Sequence, residues 1–172
     1  MKLLRKLGLL MVFAIVSIGA QTAALAEETA KGKVIVTGTF GTGGANLNLP
    51  IGDSTGHVII QQVRIDPLQS QDWRWNGLTA TIHEQLDAYA TQGTFRIYVE
   101  FKHPVDESRG KAYAFYAGSF LVNLDGSARF SASGKLLGGT GDFAGIAGKV
   151  FVDGSITAAD GGRYTLTLIL TK

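Results

Sequence analysis

The clearest feature of the chain is a strict alternation of apolar and polar residues over positions 94–102. Successive side chains of a strand point to opposite faces, so this segment is predicted to be a strand with one apolar and one solvated face. Other segments rich in β-branched and aromatic residues, bounded by turn-forming residues, indicate further strands. These cover residues 33–40, 57–66, 111–122, 128–136, 149–157 and 163–171.

Two segments lack this pattern. Residues 41–56 contain paired glycines and a proline, and we expect a loop there. Apolar residues recur at helical spacing through residues 77–90 and favour one short helix, while alternation within residues 79–84 leaves a strand as the alternative. Strands in such number predict an all-β fold, either a closed antiparallel β-barrel of about eight strands or a sandwich. We favour the barrel, because closure leaves no apolar strand edge exposed.

The first 26 residues have the composition of a secretory signal peptide. Lys2, Arg5 and Lys6 precede an apolar run, and residues 24–26 (Ala-Leu-Ala) provide a small-x-small cleavage site. We therefore expect export to the periplasm or the medium, with residues 27–172 as a single mature domain. The chain has no cysteine, which excludes a lipoprotein anchor.

The charge of the predicted mature chain narrows the range of partners. Cleavage would remove three basic residues and change the formal net charge from +2 to −1. A near-neutral domain lacks the electrostatic attraction that nucleic acids and anionic lipids require. We expect no nucleic-acid partner and no membrane anchor after cleavage.

Glycine is concentrated in residues 134–148, which read GKLLGGTGDFAGIAG. Glycine permits positive φ and close chain approach, and the lone aromatic residue Phe143 can attach such a loop to a core. A loose dinucleotide-binding pattern also occurs here, but a strand follows it instead of a helix. We expect a packed turn and no cofactor.

Residues 138–145, followed by Gly148 and a closing hairpin, resemble the C-terminal part of the allene oxide cyclase and dirigent barrels. The similarity runs from about Lys111 to the end of the chain and extends to bacterial secreted relatives of those barrels. The resemblance implies an eight-stranded barrel able to hold a small apolar molecule. It also implies a trimer, which is common in that group.

Glu100 is the carboxylate that the sequence singles out as a catalytic candidate. It shares the polar face of the 94–102 strand with Tyr98. If this face lined the barrel, a desolvated Glu100 could act as a general acid or electrostatic stabiliser, with Tyr98 and Tyr113 as ligand contacts. If the apolar face fills the barrel instead, Glu100 pairs with Arg96 or Lys102 in solvent, and we favour this second arrangement.

Trp73 and Trp75 flank Arg74 in a polar connection. Such a pair can form a stacking platform for a ligand, including a sugar, or plug one end of the core. The sequence supports both roles equally.

The three histidines, His57, His83 and His103, lie on separate elements without metal-ligand spacing, so we predict no metal site. With no sharp catalytic motif, we expect an exported barrel that binds a small hydrophobic ligand or serves as an interaction module. An isomerase or cyclase acting on a hydrophobic substrate inside the barrel is the alternative. A carbohydrate-binding module, resting on the tryptophans alone, is a weaker one.

Overall fold

The computed structural model describes residues 32–52 and 56–171, without the side chains at positions 45 and 46. The predicted signal peptide, residues 1–26, lies outside the described residues. In the part of the chain that is described, no helix is long and apolar enough to cross a membrane.

Strands account for most of the described residues. They are β1 (Lys33–Thr39), β2 (Thr42–Pro50), β3 (His57–Ser70), β4 (Thr79–Tyr89), β5 (Gln92–Lys102), β6 (Lys111–Val122), β7 (Ala128–Gly139), β8 (Ala147–Thr157) and β9 (Gly161–Thr171). Two single 3-10 turns, Glu107–Arg109 and Gly141–Phe143, lie before β6 and after β7. The strands predicted from alternation are all present, most of them longer by a few residues.

Eight of these strands form a closed antiparallel barrel, as the sequence predicted. From β3 to β9 each strand pairs with the next one in the chain, β9 pairs with β1, and β1 pairs with β3. The closing contact is short and joins residues 36–38 of β1 to residues 68–70 of β3. β2 lies outside the closed ring and pairs with the first part of β3.

The expectation of a loop over residues 41–56 is wrong for its first part, which forms β2. β3 is 14 residues long, and β1 covers only its last residues, so the backbone groups along one edge of its first part need another partner. Glycine and proline weaken the interior of a sheet, but an edge strand tolerates them. Pro67 lies where β3 changes neighbour from β2 to β1, and neither strand pairs with it. Proline has no N–H to donate, so it is tolerated at this position.

The short helix favoured over residues 77–90 is also wrong, because this segment forms β4. Leu78, Ile82 and Leu86 are spaced by four residues, which places them on one face of a strand as well as on one face of a helix. Tyr89 falls on the opposite face of the strand and is exposed. β4 pairs with both β3 and β5 along its whole length, and this ladder decides between the two structures.

The apolar faces of the strands fill the barrel. In β5 the residues Phe95, Ile97, Val99 and Phe101 are all buried, and those between them face outward. The same alternation in β1, β8 and β9 places valine, leucine and tyrosine inside. The polar face of the 94–102 segment is therefore the outer wall.

Three aromatic side chains close one end of the barrel. Trp75, Phe101 and Phe143 are each at most 1% exposed. The ring centroid of Trp75 lies 5.2 Å from that of Phe101 and 5.0 Å from that of Phe143, with edge-to-face geometry in both pairs. Such contacts add to the burial of large apolar surface, so this end is a packed plug.

The glycine-rich loop delivers Phe143 to this plug, as its sequence predicted. Gly141 has a φ of 57°, and a Cβ there would lie 2.5 Å from the carbonyl oxygen of Arg109, so both conformation and space require glycine. The guanidinium of Arg109 donates to the carbonyl of Trp73 at 3.0 Å and to Asp142 at 3.3 Å. Arg109 thus joins the two loops that cover the plug.

Candidate ligand-binding cavity

The end of the barrel opposite the plug contains a cavity of about 180 Å³. Its apolar walls include Phe40, Leu86, Phe95, Phe120, Phe130 and Ile156. The ring centroid of Phe130 lies 5.8 Å from that of Phe40 and 6.2 Å from that of Phe95, so the aromatic walls contact one another. A cavity of about 150 Å³ holds a molecule of the size of benzene.

Charged residues of β3 and β4 form the floor of this cavity. Arg64 donates from Nε to Asp66 Oδ2 at 3.1 Å and from Nη1 to Glu84 Oε2. Its guanidinium carbon lies 4.0 Å from the ring centroid of Phe40. Burial alone would lower the pKa of Arg64, but the charges of Glu84 and Asp66 and their hydrogen bonds together raise it. The guanidinium therefore keeps its charge inside the barrel.

The two carboxylates of the floor have different surroundings. Asp66 is fully buried, and its Oδ1 accepts a hydrogen bond from the backbone N–H of Gly41 at 2.9 Å. Glu84 Oε2 accepts from Arg64 and also from Gln62 Nε2, its direct partner in the β3–β4 ladder. Within the described residues Glu84 Oε1 makes no hydrogen bond, and it is not sealed from solvent. Of the two carboxylates, Glu84 is the one that lines the cavity.

Tyr164 brings a phenol from β9 to the same cavity. Its hydroxyl is buried and has no hydrogen-bond partner among the described residues. Burial raises its pKa, and the negative charge of nearby Asp66 raises it further, although the two groups do not meet hydrogen-bond geometry. Burial likewise raises the pKa of Tyr116, which also lines the cavity.

Gly38 of β1 makes room for the phenol of Tyr164. A Cβ at position 38 would lie 2.3 Å from Cζ and 2.6 Å from the hydroxyl oxygen of Tyr164. The position faces the barrel interior between Val36 and Phe40, where any larger residue would displace the ring. A side chain at this position would therefore push the only phenol of β9 out of place.

The structure places Glu100 on the outer face of β5. Its carboxylate accepts a hydrogen bond from Lys111 Nζ at 3.1 Å and lies 3.6 Å from Lys102 Nζ. Its predicted catalytic role required Glu100 to lie inside the barrel, but it lies outside, beside two lysines. The physical reason is that burying the four apolar residues of β5 removes far more apolar surface from water than the polar face could.

Tyr98 and Tyr113, the predicted ligand contacts beside Glu100, also lie on the outer wall. Tyr98 is 59% exposed, and its ring packs against Phe115 with centroids 4.7 Å apart. Tyr113 pairs with Glu100 across the β5–β6 ladder and shares its face. None of the three residues lines the cavity.

The two tryptophans have separate roles. Trp75 is part of the plug, which is one of the two roles that the sequence left open. Trp73 is 66% exposed, and the guanidinium carbon of Arg109 lies 5.4 Å from its ring centroid. Because one ring is buried and the other faces solvent, the pair does not form a common stacking platform.

The histidines lie apart from the cavity. His57 Nε2 is 2.7 Å from Asp87 Oδ1 on the outer face, and His103 Nδ1 accepts from the backbone N–H of Asp106 at 2.9 Å. His83 is exposed on the outer face of β4. Over residues 32–52 and 56–171, no group of three or more histidine or acidic residues is placed to hold a metal ion.

Sequence reasoning missed the floor residues, although a signal for them exists. Gln62, Arg64 and Asp66 occupy every second position of β3 and continue the face that carries buried Leu68. Glu84 likewise shares its face with buried Ile82. Polar residues that extend an apolar face into a strand interior are costly to bury, so they mark an interior polar site.

No protein-family model matches the chain, and no curated protein matches it.

Proposed function

We propose that this protein is an exported β-barrel that binds a small hydrophobic ligand in the cavity at its open end. The observation that carries the proposal is the difference between the two ends: aromatic side chains fill one and leave about 180 Å³ free at the other. A concave, mostly apolar site with a few convergent polar groups is the usual form of a small-molecule site.

The resemblance to the allene oxide cyclase and dirigent barrels supports the same function. We infer membership of that group from the eight-stranded closure and from the glycine-rich loop between β7 and β8. We also propose a trimer and cleavage after residue 26, both of which the mass of the secreted protein tests.

Native mass spectrometry of the protein purified from its own host is the first test. A retained small molecule, released on denaturing extraction, is the expected result, and the same spectrum gives the assembly state. A protein of bare mass that also fails to take up any added apolar ligand would overturn the proposal.

A cavity-filling substitution tests the location of the ligand. Ala128 lines the cavity, so Ala128→Phe is expected to abolish binding of a small neutral probe such as benzyl alcohol, measured by saturation-transfer NMR. Ala147→Phe is the matched control, because Ala147 is exposed on β8 near the other end. Equal binding by both variants would place the ligand outside the cavity.

A second candidate function is an isomerase or cyclase acting on an apolar substrate in the same cavity. Glu84 favours it, because a carboxylate with one free oxygen in an apolar cavity can take up or return a proton. An enzyme of this kind exchanges a ligand proton with solvent through Glu84. We expect deuterium from D2O to enter the extracted ligand with the native protein and not with Glu84→Gln; no exchange in either case would leave only the binding function.

A further inference from the structure

The charges on the cavity floor indicate which ligands the cavity accepts. We propose that the ligand is a small apolar amine whose ammonium group binds Glu84 Oε1 while its apolar part contacts the phenylalanine walls. This inference rests on the ligand-binding function proposed above and adds the chemical class of the ligand.

The charged cluster of the floor contains two carboxylates and one guanidinium. Asp66 and Glu84 both pair with Arg64. Arg64 and Glu84 are the charged side chains among the described residues that line the cavity, and Asp66 is buried beside Arg64. In a medium of low polarity an excess charge is poorly solvated, so a cation that pairs with it is stabilised.

The two carboxylates beside Arg64 disfavour an anionic ligand. The Nε and Nη1 of Arg64 donate to these carboxylates, and its flat face lies over the ring of Phe40. A ligand carboxylate that approached its remaining N–H groups would be a third negative group beside Asp66 and Glu84. Fatty acids and other carboxylates are therefore expected to bind poorly.

One oxygen of the floor remains available to an ammonium group. Glu84 Oε1 makes no hydrogen bond within the described residues. The hydroxyl of Tyr164 also lacks a partner among the described residues, but it is sealed by its neighbours and would need a shift of its ring to contact a ligand. An ammonium has only donors, so it fits an oxygen that lacks a donor.

The walls of the cavity suit the same ligand. The rings of Phe40, Phe95, Phe120 and Phe130 all line it. Aromatic faces attract cations through their quadrupoles, and the attraction is greatest where water is excluded. The walls therefore favour an amine with an apolar body over a neutral molecule of equal size.

Three probes of nearly equal size and different charge test the inference at neutral pH: benzylamine, benzyl alcohol and benzoate. Calorimetric titration of the native protein is expected to show benzylamine binding at least about tenfold more tightly than benzyl alcohol, with benzoate the weakest. Benzyl alcohol binding as tightly as benzylamine, or a preference for benzoate, would overturn the amine inference and leave the ligand-binding function standing. Failure of all three probes would contradict both.

A pair of matched variants locates the charge that selects the amine. Glu84→Gln is expected to bring the affinity for benzylamine down to that for benzyl alcohol and to leave benzyl alcohol unchanged. Glu100→Gln makes the same chemical change on the outer wall and is expected to alter neither the affinity for benzylamine nor that for benzyl alcohol. If the circular-dichroism spectrum shows that Glu84→Gln does not fold, the order of the three affinities for the native protein still tests the preference for an amine.

Discussion

The two ends of the barrel are built from the same kinds of side chain and differ in what covers them. At one end the loop before β4 and the glycine-rich loop insert Trp75 and Phe143 against Phe101. At the other end the phenylalanines of the walls surround a cavity with a charged floor. One end is therefore filled by packed aromatic rings, and the other leaves apolar side chains around an unfilled cavity.

This comparison shows how a small barrel can combine stability with an open interior. The plug buries aromatic side chains completely, whereas Phe120 and Phe130 at the open end are only partly buried. The floor between the ends holds its charges through hydrogen bonds that run along the barrel wall. Substitutions at the plug, the floor, the mouth and the outer wall should separate these contributions.

The largest effect is expected at the plug. Trp75→Ala should lower the free energy of unfolding by about 3–5 kcal/mol, because it removes a fully buried ring and leaves a void among Phe101 and Phe143. Denaturant unfolding of the variant and the native protein measures this difference. Trp73→Ala is the control and should change the free energy by no more than about 0.5 kcal/mol. Similar losses from both variants would contradict the assignment of the plug to Trp75.

Alkaline pH should lower the stability of the protein through Tyr164 and Tyr116, two buried phenols that line the cavity. Burial raises both phenol pKa values in the folded state above the usual value of about 10, so folding favours the protonated form. Below pH about 10 these groups should not affect the free energy of unfolding. Above pH about 10 each phenol should lower the free energy of unfolding by about 1.4 kcal/mol per pH unit, because the unfolded chain loses a proton that the folded chain retains.

Unfolding free energies measured at several pH values between about 9 and 11 test this dependence. Tyr164→Phe should halve the decrease in unfolding free energy above pH about 10. Tyr98→Phe on the outer wall should leave this decrease unchanged. A native protein with no loss above pH 10 would show that the two phenols are accessible to hydroxide.

A smaller effect is expected at Phe130, in the apolar wall of the cavity. Phe130→Ala should lower the free energy of unfolding by about 1–2 kcal/mol, below the usual loss for a core phenylalanine, because its ring is only partly buried. It should also enlarge the cavity, so the preferred probe should shift from benzylamine toward longer arylalkylamines. Stability loss equal to that of Trp75→Ala would mean that the two ends are equally packed.

The smallest effect is expected on the outer wall. Glu100→Gln breaks the contacts with Lys111 and Lys102, which are exposed to solvent and salt, so it should cost no more than about 1 kcal/mol in denaturant unfolding. Added salt should reduce even this difference. A larger, salt-independent loss would show that the outer wall is covered by a partner in solution.

The strands were predictable wherever alternation was uninterrupted, as in β5, because one buried face leaves a period of two in the sequence. β4 was ambiguous for a specific reason: a spacing of four satisfies both a strand and a helix. β2 was missed because its glycines and proline are typical of loops, and only the uncovered edge of β3 explains why it forms a strand. Phe143 was identified correctly because a lone aromatic residue among glycines has few roles except packing.

The site was less predictable than the fold. Glu100 drew attention because it stood on a regular polar face, but that regularity is typical of a solvated wall. Arg64 and Glu84 interrupt faces that are otherwise apolar, and this irregularity was the stronger signal of an interior site. Alternation identifies two faces of a strand and does not by itself say what fills the barrel.

The sequence alone determined the all-β class, most strand positions and the packing role of the glycine-rich loop, because these depend on residues close together in the chain. Only the tertiary structure decided which polar residues meet. Arg64, Glu84 and Tyr164 come from β3, β4 and β9, and they face one cavity because β9 pairs with β1 and β1 closes on β3. Such closure depends on registers between strands far apart in the sequence, and local pattern does not encode them.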